Sequence, residues 1–289
     1  LSSSYPLYQV LFPKEPPKGT KSLIIIPAGE LGFLPFEALI TEKHKGVVKY
    51  NEMPHLIEDY NVSYEYAAAL LYQRQASPLS METKSLFLCA PVNFKYTEFS
   101  LPELNGSFVE ISKIESVIKN HDLKATVLAY DEANEEYVKT TDLKSYDVLH
   151  FATHGLVNET KPELSKIYLA TTKSEDGNLF SGEIYNLDIN ANLVTLSACQ
   201  TGLGKISNGE GIIGLSRALL FAGAKNIVVS LWTVSDQSTT DLMVEFYQQM
   251  AENPNLTYME HLRQAKLKML KDPDFNQPYY WAPFILVGI

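Results

Sequence analysis

Cys199 and His154 are the residues whose type and setting point to nucleophilic chemistry. Cys199 closes the apolar run NLVTLSAC (192–199) and is followed at once by the glycine-bearing turn QTGLG. His154 follows the apolar run in YDVLHFAT (146–153) and precedes Gly155, where a glycine lets the backbone turn sharply and bring its N–H close to a ligand. If the two runs are neighbouring strands of an open sheet, thiol and imidazole face one another at the strand carboxyl ends, where such sheets bind ligands. That is the minimal arrangement for a cysteine nucleophile. A free thiol, with a pKa near about 8.5, is mostly protonated at neutral pH; a nearby imidazolium favours the thiolate, and an imidazole can carry a proton to a leaving amine. The backbone amides of Gly155 and Cys199 would then hold the oxyanion of a tetrahedral intermediate. The competing reading is that a cysteine ending an apolar strand is inert core.

The elements that must position this pair read as α/β. Apolar runs SLFLCAPV (85–92), KATVLAY (124–130), YDVLHFAT (146–153), NLVTLSAC (192–199), KNIVVSLW (225–232) and APFILVG (282–288) alternate with helix-period segments. This is the pattern of a mostly parallel, six-stranded sheet flanked by helices. The helical segments are 101–120, with Phe108, Ile111, Ile114 and Ile118 on one face, ANEEYVKTTDL, 211–224, and two helices between the last two strands. Upstream, KSLIIIPAGELGFLPFEALI predicts a strand, a turn and a short segment docking Leu34, Phe36 and Leu39, and YNVSYEYAAALLYQRQ predicts a second strand and helix. The polar stretch ASPLSMETK (76–84) marks the boundary. The expected organisation is a linker at 1–20, a smaller N-terminal α/β part at 21–80 and the main part at 81–289. The polar, proline-bearing opening at Leu1 predicts a preceding region.

Composition narrows the classes. At 289 residues and 45% hydrophobic the chain can bury a core of ordinary size. Net charge is −10 with no basic cluster, which argues against nucleic acid or an anionic membrane surface and suits a cationic peptide. No apolar stretch approaches the roughly 18 residues of a membrane span, and no signal peptide is legible, so a cytoplasmic protein is expected. The two cysteines and six histidines show no zinc spacing, and no oxygen-ligand cluster of calcium-loop spacing is visible, so neither metal nor cofactor is expected.

The segments HFATHG, LSACQTGLG, GEGIIGLSRALLFAGAKNIVVSLWTVSD and YYWAPFILVG together resemble the CHAT peptidase family, and IIIPAGELGFLPFEAL, LPELNGSFVEISKI and IYLATTKSEDGNLFSGEIYNLDI extend the likeness over about residues 20 to 289. The resemblance implies a caspase and separase type fold, peptide-bond hydrolysis, and a histidine-cysteine dyad falling on His154 and Cys199. It implies a primary pocket lined by Ser197 and by the segment Ser230 to Asp236, with Trp232 walling the cleft. The WTVSD run resembles the separase-like WxVxD pattern, in which Asp236 would pair with an arginine or lysine before the cut. The alternative for Asp236 is N-capping of the following helix, and Ser235 is an equal candidate for that cap. Glu103 is a weaker pocket candidate. By the same resemblance, bacterial CHAT proteases are latent switches in defence or regulated cell death, governed by a tetratricopeptide repeat (TPR) or other sensor domain and cleaving a dedicated protein partner.

Two rival readings remain at this level: a catalytically idle CHAT-fold interaction module, and a nucleotide-binding α/β domain resting on Gly209 and Gly211, which lack the GK[ST] ending of a phosphate loop. Cys89 is expected in the core, Arg217 as a structural partner of an acid such as Glu210, and His44, His55, His121, His150 and His261 as non-catalytic. Glu175 and Asp176 are expected in a hairpin turn.

Overall fold

The computed structural model describes residues 3–43, 49–75, 83–94, 101–158, 160–197, 199–200 and 210–289, with residues 73, 75, 199–200 and 210–213 described by their backbone. All six strands expected of the main part are present: β3 (Ser85–Ala90), β4 (Lys124–Ala129), β5 (Val148–Phe151), β9 (Leu193–Leu196), β11 (Ile227–Ser230) and β12 (Phe284–Val287). The N-terminal β1 (Ser22–Ile25) and β2 (Asn61–Tyr64) extend the same sheet to eight strands, in the order β1-β2-β12-β11-β9-β5-β3-β4. Neighbours run parallel except β11 and β12. Two helices, α8 (Asp236–Glu252) and α9 (Tyr258–Lys271), separate that pair. The chain goes out along one helix and back along the other, so it re-enters the sheet from the opposite end.

Strand side chains alternate between two cores. Leu86, Leu88, Val148, Leu193 and Val228 face α4 (Asn105–Asn120), α8 and α9, whereas Phe87, Cys89, Leu149, Phe151, Val194 and Val229 face α7 (Glu210–Phe221), α5 (Glu135–Thr140) and α6 (Ser181–Ile184). Burial on both faces explains why these strands read as unbroken apolar runs rather than as alternating ones. On α4, Ile111, Ile114 and Ile118 are buried as expected. Phe108 is not: it lies at the edge of the buried stripe, 38% exposed, with its ring 5.3 Å from that of Tyr130. The buried stripe instead takes in Ser107 and Glu110.

Several buried polar contacts lock these layers. On the α4 and α8 side, His150 Nε2 pairs with Glu110 at 2.9 Å, His150 Nδ1 contacts the Tyr247 hydroxyl at 3.1 Å, and that hydroxyl donates to Thr195. Beyond β12, Lys266 of α9 pairs with Glu37, whose other carboxylate oxygen accepts from Tyr64. Arg263 donates to the carbonyls of Ile57 and Glu58, both within α2 (Leu56–Asp59). The N-terminal segment is thus clamped to α9 as well as paired in the sheet.

The 1–20 stretch contains a helix, α1 (Ser4–Leu11), with Leu7, Tyr8, Leu11 and Phe12 packed against the core. The helix α3 (Ala68–Gln75) follows β2, and α10 (Pro278–Trp281) leads into β12. Most of the 76–84 boundary lies outside the described residues.

A second, smaller sheet stands beyond the carboxyl ends of the main strands. Its order is β10 (Cys199–Gln200), β6 (His154–Leu156), β7 (Lys166–Tyr168) and β8 (Asn178–Phe180). The expected hairpin turn joins β7 to β8, with Gly177 at φ 78°. Among the described residues no helix is long and apolar enough to cross a membrane.

Candidate active site

Both candidate residues lie just past the main sheet, in the second one. β5 and β9 are parallel neighbours, with Phe151 opposite Leu196. Each strand then leaves the main sheet, and the chain pairs again three residues later. There β6 and β10 are also parallel, and Cys199 is the backbone partner of His154. Neighbouring strands lie about 4.8 Å apart, so the register brings the cysteine and histidine backbones side by side.

The route to His154 is fixed by bonds at each step. Ala152 N–H donates to the Cys89 carbonyl at 2.9 Å, the Thr153 hydroxyl donates to the Tyr168 carbonyl, and Ser197 N–H donates to the Phe151 carbonyl at 3.0 Å. The His154 side chain is 3% exposed. Its ring lies 4.7 Å from that of Phe94, and its Nε2 sits 2.9 Å from the Pro102 carbonyl oxygen. A carbonyl accepts only, so Nε2 carries the hydrogen and Nδ1 carries the lone pair. Among the described residues Nδ1 has no hydrogen-bond partner.

Burial pushes the His154 pKa below its ordinary value, against the Pro102 bond and the Asp236 charge, which both raise it. The ring therefore rests neutral at pH 7, and its unshared electron pair at Nδ1 is suited to accepting a proton. This differs from the imidazolium that the sequence alone suggested as the source of a thiolate. A neutral imidazole can take a proton from a thiol and return it to a leaving amine.

The Pro102 carbonyl is a functional group that the sequence did not reveal. It belongs to the segment 101–104, anchored where Leu104 N–H donates to the Val92 carbonyl at 3.0 Å. Val92 is fully buried with φ 60°, a left-handed conformation that is uncommon for a β-branched residue. Such strain persists only where the surroundings impose it. Here the residue turns the chain out of β3 and offers its carbonyl to the strap that holds His154.

The expected pocket residues follow the carboxyl ends of β9 and β11. Ser197 is buried at the end of β9, and its hydroxyl lacks a partner among the described residues. Trp232 follows β11 and packs between the two cores, with Nε1 donating to the Tyr279 carbonyl at 3.1 Å. Ser235 is the helix cap: its hydroxyl accepts from Ser238 N–H. Asp236 is thereby left exposed in the first turn of α8, close enough for its charge to act on His154. Gly155 is paired in β6 between β10 and β7. Glu103 is exposed beside Pro102.

The other histidines have structural settings. His55 is buried against Trp281, His150 lies on the α8 face, and His121 and His261 bond the carbonyls of Val117 and Asn253. His44 lies outside the described residues, as does Gly209. Arg217 sits over the Tyr66 ring, 5.5 Å from its centroid, and the Glu210 side chain suggested as its partner lies outside the described residues. Cys89 is fully buried, and burial drives its thiol pKa far up. Glu135, Glu175 and Glu183 converge within metal-ligand range, but Lys139 Nζ lies 2.7 to 2.8 Å from all three and supplies the positive charge itself.

A model of the CHAT domain matches residues 3–289. The chain belongs to the CHAT family. Tetratricopeptide repeat protein 28 of Mus musculus is 29% identical to this CHAT domain over 110 residues, and its Homo sapiens counterpart is 30% identical over 110 residues. Each match covers 38% of this chain and 4% of the relative, so the CHAT domain corresponds to a small fraction of those proteins. Among solved structures, Saccharomyces cerevisiae separase in its complex with securin superposes with a TM-score of 0.53 at 14% identity, covering 89% of this chain and 15% of that one. Porphyromonas gingivalis RgpB, in a complex of pro- and mature domains, gives a TM-score of 0.56 at 9% identity, covering 100% of this chain and 68% of that one. The CHAT domain therefore has the caspase-like fold expected from the sequence, with two further strands on the sheet.

Proposed function

We propose that this CHAT domain is a cysteine endopeptidase with His154 and Cys199 as its dyad. The observation that carries this reading is the β6–β10 register of the two residues beside an imidazole whose Nδ1 has no partner among the described residues and whose Nε2 is held by Pro102. In the proposed mechanism the Cys199 sulfur attacks the scissile carbonyl carbon as its proton passes to His154 Nδ1. The carbonyl π electrons move onto oxygen, where the backbone amides of Gly155 and Cys199 stabilise the developing charge. Collapse of the tetrahedral intermediate expels the amine, which takes the proton from His154 and leaves an acyl-enzyme. Water then attacks the thioester, again giving its proton to Nδ1, and Cys199 leaves as the restored thiol.

The primary pocket is assigned to Ser197, Trp232 and Asp236. The acidic Asp236 favours an arginine or lysine before the cut, because a guanidinium or ammonium there gains a charge-assisted bond. The partners that go with this reading are a protein substrate with an exposed loop and a TPR or other sensor domain that regulates access. The expected compartment is the cytoplasm, with no nucleic acid or membrane contact by this domain.

A fluorogenic peptide library varied at the residue before the cut tests the reading. Cleavage strongest after arginine or lysine is expected. Cleavage after apolar residues would keep the dyad and remove Asp236 from the pocket. The match to repeat proteins favours one second reading, an idle interaction module. Partner binding that survives Cys199→Ala, with no hydrolysis by the native chain, would support that module instead.

A further inference from the structure

We infer that Gly106 is a specificity-determining residue: its missing side chain lets Asp236 keep the position from which its carboxylate meets a basic substrate side chain. The inference rests on the basic-pocket reading above. Gly106 is the second residue of α4, and glycine ranks among the poorest helix formers, so helix propensity gives no reason for it. The contact with α8 does. A Cβ at Gly106 would stand 2.6 Å from Asp236 Cβ and 3.0 Å from both Cγ and Oδ2. The clash falls on the root of the aspartate as well as on its tip, so rotation of the carboxylate alone cannot relieve it.

The Asp236 Cβ is fixed by the backbone and no χ1 rotamer moves it, so relief requires that the helices part, either along their length or by displacement of the first turn of α8, which carries Asp236. Separation is opposed by Ile111, Ile114, Leu242, Met243 and Phe246, all fully buried in the core that these helices share. The Thr240 hydroxyl also lies 3.5 Å from the Gly106 carbonyl, one turn along α8. Asp236 stands at the exposed start of α8, ahead of those packed residues, so its turn yields first and carries the carboxylate off its place. The strap that holds His154 through Pro102 leads directly into the first turn of α4. One segment thus seats the proton carrier with a carbonyl and leaves room for the acid with a glycine.

The test uses peptidyl acyloxymethyl ketones carrying arginine or its neutral isostere citrulline before the reactive carbon, in the native chain, Gly106→Ala and Asp236→Asn. The native arginine-over-citrulline labelling ratio is expected on the order of 10-fold, the scale of one hydrogen bond to a charged group. Asp236→Asn brings the ratio close to unity. Gly106→Ala brings it to within about threefold of that value through weaker reversible binding of the arginine probe, with citrulline labelling changed by less than about twofold.

A Gly106→Ala chain that keeps the native ratio while Asp236→Asn loses it overturns the inference and leaves the pocket reading intact. A ratio unmoved by Asp236→Asn, or no labelling by either probe, overturns the pocket reading. The contact itself is read without any reaction by thermal unfolding. If Gly106→Ala lowers the midpoint, Asp236→Gly in the same chain, which removes the atoms struck, restores it; failure to restore it removes the steric basis of the inference.

Discussion

Cys199→Ala is expected to abolish peptide hydrolysis, with kcat falling by about 10⁴-fold or more, and His154→Ala to fall by a similar factor. Residues that act as one nucleophilic unit are strongly non-additive. Without Nδ1 to take its proton, the thiol is a weak nucleophile; without the thiol, Nδ1 has only water to activate. The double variant is therefore expected to be no slower than the worse single one within about tenfold, measured as kcat on the best library peptide. Fully additive losses would mean that the two residues act independently, and a Cys199→Ala chain with more than about 1% of native turnover would place the nucleophile elsewhere. Cys89 is a poor substitute, being fully buried with its pKa raised by that burial.

Lys266→Met is expected to destabilise the fold by about 3 to 5 kcal/mol, because it strands a buried carboxylate. Lys266 and Glu37 are each 2% exposed and pair directly, while Tyr64 donates to the second oxygen of Glu37. Burial lowers the Lys266 pKa and raises that of Tyr64, the signature of charges taken out of water. Adding Glu37→Gln to Lys266→Met removes the stranded charge and keeps an acceptor for Tyr64, so most of the loss is expected to return. Urea unfolding reads both variants. A single-variant loss below about 1 kcal/mol would mean that water reaches the pair and that the clamp between the N-terminal part and α9 is weak.

The main sheet was legible in the sequence because its strands are buried on both faces, which leaves the unbroken runs FLCA, VLHF and IVVS. The reversal of β12 follows from the two helices before it. What could not be read is the second sheet around the site: β6 and β10 span three and two residues, too short to carry a period. The two terminal pieces of NLVTLSAC and YDVLHFAT therefore looked like ends of the main strands, although His154 and Cys199 belong to a separate pairing. Their juxtaposition was nevertheless foreseen, since strands adjacent in one sheet deliver their continuations to the same place.

Side-chain identity singled out Asp236 and His154 as candidates but not what surrounds them. The Pro102 acceptor is a backbone atom, invisible to residue type, and Gly106 reads as a poor helix residue until α8 is packed against it. Phe108 failed for a related reason: helical spacing identifies a face but does not define how wide its buried stripe is. Capping chemistry was better determined, and Ser235 took the cap that had been shared in prospect with Asp236.

The most direct measurement is intact-mass analysis of the chain after a peptidyl acyloxymethyl ketone with arginine before the reactive carbon, across a range of pH. The account predicts a single adduct on Cys199, absent from Cys199→Ala, and labelling that is slowed by about 100-fold or more in His154→Ala near neutral pH. In the native chain labelling falls as pH drops through the lowered His154 pKa, below its ordinary value near 6.5. An adduct on another residue, or Cys199 labelling that is indifferent to His154 at every pH, would contradict the dyad.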